Sequence, residues 1–141
     1  MDFFSNSDRT TELFSNKQEA FFALLVCAAT VDGELDDFEL DALNRITYHK
    51  SLFKNCEAES LFNIVFPILN DLGAEQVLIK AAAFLDEQEK KEVFVNTVDI
   101  YCANGTIEQS EKELLNEFAI VLELDKEWCQ QVANTISMLY S

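Results

Sequence analysis

The chain is poor in basic residues, helix breakers and histidine: 10 Lys and Arg stand against 26 Asp and Glu, with 3 Gly, 1 Pro and 1 His in 141 residues. A formal charge of −16 leaves too few clustered cations to neutralise phosphates, so nucleic acid is excluded as an expected partner. No uncharged apolar run reaches the ~18 residues of a membrane span, so direct membrane insertion is not expected. Met1-Asp2-Phe3-Phe4-Ser5-Asn6 has neither the basic nor the apolar stretch of a secretory signal, and a cytoplasmic location is the expectation. Cys27, Cys56, Cys102 and Cys129 lie 29, 46 and 27 residues apart. That spacing offers no local zinc motif, and the thiols read as small buried hydrophobes in a reducing compartment.

Catalytic signatures are missing too. There is no HExxH, no nucleophile elbow and no glycine loop between a strand and a helix. The one histidine, His49, sits between Tyr48 and Lys50 at the end of a helical stretch, where a cation complements the helix dipole. No enzymatic activity is expected.

What is present is a core. With 49% hydrophobic residues and 12 Phe, the chain is too apolar for an acidic disordered tail and long enough for a single folded domain. Apolar residues recur at helical spacing, predicting an all-α bundle of about seven helices. The stretch from Lys17 to about Val31 is apolar over so broad a face, including Phe21, Phe22, Leu24 and Leu25, that it suits a central helix. A second helix is predicted from about Asp37 to Tyr48 with Leu40, Leu43 and Ile46 or Thr47 inward. A third is expected to be capped by Asn55 and kinked or ended by Pro67 near Phe66. Glu75 to Phe84 gives a fourth, and Asp86-Glu87-Gln88-Glu89 reads as a capping box opening a fifth that runs to about Cys102. The sixth spans about Gln109 to Leu122. Asp125 caps a seventh, Lys126 to Leu139, expected to bury Trp128, Val132, Ile136 and Leu139. Residues 1–16 read as an N-terminal extension, with a short turn or helix at Ser7 to Phe14, and residues 17–141 as the helical domain.

The chain also repeats itself. Val31-Asp32-Gly33-Glu34-Leu35-Asp36-Asp37-Phe38-Glu39 returns 72 residues later as Ala103-Asn104-Gly105-Thr106-Ile107-Glu108-Gln109-Ser110-Glu111, sharing [DN]-G-x-[LI]-[DE]-x-x-E. Each copy lies between two helices, so the bundle divides into two similar helix-loop-helix halves. Every loop position has a structural explanation. Gly33 and Gly105 supply a left-handed residue, Asp36 and Glu39 form an N-cap with its capping-box partner, and Leu35 can pack on Leu40 as a hydrophobic staple. Glu108 is a weaker cap, and Lys112 stands where the second staple partner would be.

The same positions carry a chemical reading. Asp32, Gly33, Leu35 and Glu39 match the second half of a calcium-binding EF-hand loop, but its first and third ligand positions fall on Ala28 and Thr30, and on Ile100 and Cys102 in the second copy. A standard EF-hand is therefore excluded. A weaker oxygen site of Asp32, Asp36 and Glu39 remains, with Asn104, Glu108 and Glu111 as its less charged counterpart. Asp32, Glu34, Asp36, Asp37, Glu39 and Asp41 fall within ten residues that hold no Lys or Arg, and such crowding calls for water, salt or a cation.

A small-residue helix running into Ala29-Thr30-Val31-Asp32-Gly33-Glu34-Leu35 with Glu39, repeated as Cys102-Ala103-Asn104-Gly105-Thr106-Ile107 with Glu111, resembles the TerB tellurite-resistance family and its TerB-like relatives. The resemblance extends over about Gln18 to Leu139 and includes Phe118-Ala119-Ile120-Val121-Leu122-Glu123-Leu124. It implies an all-helical domain, a stress-response or membrane-associated signalling context, and a divalent cation (Ca, Mg or Zn) held by acids that correspond here to Asp32, Glu39 and Glu111. The chain departs from the family at Asn104, where Asp is usual, and tellurite resistance itself does not follow from these residues. The alternative is an interaction module whose loops are purely structural. Phe3, Phe4, Phe14, Phe53 and Phe66 are not claimed by the helical faces. Exposed beside acids, they would suit a protein partner with a basic or membrane-proximal surface, such as a basic amphipathic helix.

Overall fold

The computed structural model describes residues 13–33, 35–103 and 105–140. Among them are seven α-helices and no strand: α1 (Lys17–Ala29), α2 (Asp37–His49), α3 (Ala58–Leu72), α4 (Ala74–Ala82), α5 (Glu87–Ala103), α6 (Gln109–Val121) and α7 (Lys126–Leu139), with a 3-10 turn at Ser51–Phe53 after α2. The all-α bundle is as predicted. Phe3, Phe4 and most of the turn or helix expected over Ser7 to Phe14 lie outside the described residues.

The order of burial explains the layout. Every residue of α1 from Glu19 to Ala29 is buried, because a helix apolar all round must be enclosed on all sides. It packs against α2, α3, α4 and α5. Helix α5 is the second hub, touching α1, α2, α6 and α7, and it buries Val93, Phe94, Val98, Ile100 and Tyr101. The first helices of the two repeats thus lie side by side at the centre. Phe14 and Phe53, unclaimed by any helical face, are both core residues. Phe14 meets Phe84 edge-on at 5.9 Å, and Phe53 meets Phe21 at 5.6 Å and Phe22 at 6.1 Å. Cys27, Cys102 and Cys129 are buried and Cys56 half-buried, all as free thiols.

Helix starts follow their caps. Asn16 accepts from the Glu19 amide at 2.9 Å, Asp125 from the Trp128 amide at 2.9 Å, and Asp86 and Glu89 exchange bonds of 2.8 and 3.0 Å as a capping box. Several expectations are corrected. Asn55 does not cap α3; it takes a left-handed turn at φ 69°, and the helix opens at Glu57 without a side-chain cap. Of the two outcomes expected at Pro67, a kink or an end, the end is not what occurs: α3 continues to Leu72. Pro67 and Asn63 are both exposed, so the carbonyl left without its amide partner can turn to water. Leu40 is 44% exposed and Leu139 78% exposed, since α2 turns Leu43, Ile46 and Thr47 inward instead, and the last turn of α7 buries Ile136. Trp128 and Val132 are only half-buried; Cys129 and Ile136 are the buried residues of α7.

Candidate functional site: the paired glycine loops

The first loop is built by its own sequence. The Thr30 hydroxyl donates to the Val26 carbonyl at 2.8 Å as α1 ends, and the Gly33 amide closes a turn onto the Thr30 carbonyl at 2.9 Å. Gly33 sits at φ 97°, a conformation that side chains beyond glycine resist. Asp36 then accepts from the Glu39 amide at 2.8 Å, and Glu39 Oε1 accepts from the Asp36 amide at 3.0 Å, the reciprocal capping box expected from the spacing. The second loop repeats the scheme. The Gly105 amide bonds the Cys102 carbonyl at 2.9 Å with Gly105 at φ 100°, and Glu111 Oε1 accepts from the Glu108 amide at 2.8 Å.

Both box glutamates are buried, with 1% exposure each, and the fold brings them close enough to feel one another. Burial pushes the Glu39 carboxyl up to about 7, the charges of Asp36, Asp32 and Glu111 push it the same way, and the bond from the Asp36 amide opposes them. Glu111 is raised too, again first by burial and then by Asp32, Glu108 and Asp36, against the bond from the Glu108 amide. Acids from the two copies therefore act on one another electrostatically, and the charges acting on each are negative.

A buried strut ties together the two helices that lead into the loops. The Tyr101 hydroxyl, on a fully buried ring, donates to the Ala28 carbonyl at 2.8 Å, linking α5 to the last turn of α1. Burial holds this phenol above its usual range, and the Glu111 and Glu39 charges add to that. The equivalent position of the first copy is Ala29, so no repeat signal exposes Tyr101; only its place three residues before Asn104 hints at a role beyond packing.

Of the six candidate site residues, Glu39 and Glu111 are buried, Asp36 is half-buried, Asp32 and Glu108 are exposed, and Asn104 lies outside the described residues. Glu39, Glu111, Asp32 and Asp36 form one electrostatic group, with Glu108 acting on Glu111. Among the described residues, no three acidic, histidine or cysteine side chains are set to hold a metal ion. Each buried glutamate commits one oxygen to a backbone amide. The donors are all carboxylate oxygens, which fit a hard cation such as calcium or magnesium better than zinc. His49 stands in the last turn of α2, where the sequence places it. No helix among the described residues is long and apolar enough to cross a membrane. Compared with known protein families, curated proteins and solved structures, the chain gives no significant match to any.

Proposed function

We propose that the chain is a non-enzymatic, acidic helical module of the TerB-like type, acting as a regulatory or adaptor protein whose paired glycine loops take up a divalent cation. The observation that carries this reading is the burial of Glu39 and Glu111, one from each loop and both within reach of the charges of Asp32 and Asp36. Carboxylates that repel one another in a poorly solvated site gain stability from a proton or from a cation. Asp32, Asp36 and Glu39 would hold the ion with Glu111 and Glu108 beside it, the exposed acids rotating inward. The TerB-like resemblance of the loops points to Asp32, Glu39 and Glu111 among them.

Thermal unfolding with and without calcium or magnesium tests the reading. A cation bound only by the fold raises the wild-type midpoint, by about 2.7 kcal/mol in stability at a hundredfold excess over Kd, and Asp32→Asn with Glu39→Gln abolishes that rise. Equal responses of wild type and variant would leave the loops with a purely structural role. That second reading has its own support: every loop hydrogen bond described above serves a helix end.

A further inference from the structure

We propose that the hollow between α2 and α3 docks a basic amphipathic helix of a partner protein, a surface that gives the adaptor half of the reading above its partner chemistry and rests on it. The hollow is about 280 Å³, lined by Leu35 from the first loop, Leu40 and Leu43 from α2, Ala58 and Phe62 from α3, with Phe22 of the central helix against it. That is room for one large apolar anchor side chain of a docked helix. On α3 the apolar surface continues: Phe66 stacks on Phe62 with ring centroids 5.0 Å apart. Ala58, Phe62 and Phe66 follow one another at i, i+4 and i+8, a strip of about 12 Å at 1.5 Å per residue. Leu40 and Phe66 are 44% and 40% exposed, so the strip is uncovered where a partner's second anchor would lie.

Charge selects the occupant. Residues 31–44 and 55–72, which supply the walls apart from Phe22, contain no Lys or Arg and, besides the buried Glu39, eight acids: Asp32, Glu34, Asp36, Asp37 and Asp41 in the first, Glu57, Glu59 and Asp71 in the second; Lys54 stands at the edge. Glu59 lines the hollow itself. Arg45, the one Arg or Lys of α2, is drawn away to Asp99 of α5 at 2.9 Å. An apolar stripe flanked by cations meets complementary potential here, which guides encounter and fixes register. The larger groove of about 700 Å³ between α6 and α7 carries Lys112 and Lys126; it lacks that complementarity and serves as an internal control.

The test is an amide-resolved NMR titration of the full chain in EDTA with a synthetic peptide of about five helical turns, Leu on one face and Lys on the other. A peptide of the same composition in scrambled order is run beside it. Saturable shifts confined to Leu35, Leu40, Leu43, Phe62 and Phe66 are expected. Leu40→Asn and Glu59→Lys should each weaken binding at least tenfold, while Ile120→Asn, on the control groove, leaves it unchanged. Equal binding of the scrambled peptide, or shifts spread over all acidic surfaces, would reduce the effect to charge and overturn the proposal, as would shifts mapping to the α6–α7 groove. Sedimentation showing a dimer that Leu40→Asn dissociates would assign the face to a second copy instead. Absence of binding at any surface would remove the adaptor reading altogether, whereas binding elsewhere would remove only this surface. Because EDTA is present throughout, failure of cation uptake leaves the result unaffected.

Discussion

Replacing Glu39 with Gln should make the protein more stable at pH 8 in the absence of divalent cations, although it removes a buried side chain's charge and adds no contact. The Glu39 carboxyl is raised from 4.5 to about 7, first by burial and then by Asp36, Asp32 and Glu111. Between those two values the native state holds more protons than the unfolded chain, so stability is full below the lower value and falls as pH rises through the upper one. At about 1.4 kcal/mol per unit the ceiling is about 3 kcal/mol, and solvent screening beside the exposed Asp32 reduces it to about 1–2 kcal/mol. Gln keeps the acceptor that bonds the Asp36 amide, since either Glu or Gln completes a capping box. Unfolding followed by far-UV circular dichroism from pH 4 to 8.5 should therefore give nearly coincident curves at the acid end. They should diverge progressively from about pH 4.5 to about pH 7 and then differ by a constant 3–8 °C or so in midpoint at higher pH. A difference independent of pH would mean that Glu39 acts only as a cap. A wild type that gains on the variant as pH rises would mean that its carboxylate is stabilised rather than penalised, and the electrostatic description of the site would fall.

Three further outcomes follow from the packing. Tyr101→Phe removes the only donor side chain that joins the end of α1 to α5 among the described hydrogen bonds; it should cost about 1–2 kcal/mol in chemical denaturation, and an unchanged midpoint would show that the strut carries no load. Pro67→Ala restores an amide for the Asn63 carbonyl inside α3 and should stabilise by about 1–2 kcal/mol after the loss of proline's unfolded-state restriction; destabilisation would mean that the carbonyl is satisfied as it stands. Cys56, half-buried, should react first with a thiol reagent at pH 8, whereas Cys27, buried and pushed up to about 12, should stay unreactive until the chain unfolds; mass spectrometry of labelled peptides reads the order.

The helices were legible in the sequence wherever a single local signal decided them. The broad apolar face of α1 demanded enclosure, Asp86 with Glu89 and Asp125 with Trp128 fixed helix starts, and Gly33 and Gly105 marked where α1 and α5 stop. Errors arose where an outcome depended on what lay opposite. Leu40 has the spacing of an inward residue, yet α3 leaves a hollow before it, and Leu139 is largely exposed. Pro67 breaks a buried helix but not one whose free carbonyl faces water. The capping roles of Asp36 and Glu39 were visible from spacing alone. The burial of Glu39 beside Glu111 was not, because nothing in a repeat 72 residues apart states that its two copies meet. Tyr101 was hidden for a similar reason, since its ring reads as core and its hydroxyl partner lies 73 residues away.

Cation uptake at the joined loops is best decided by an amide-resolved NMR titration with calcium, magnesium and zinc at near-physiological ionic strength, comparing wild type with Asp32→Asn/Glu39→Gln. The expected result is saturable shifts localised around Gly33, Asp36, Gly105 and Glu111, stronger for the hard cations and lost in the variant. Small, unsaturated shifts spread over all acidic surfaces, equal in both proteins, would contradict cation binding and leave Glu39 and Glu111 as helix caps alone.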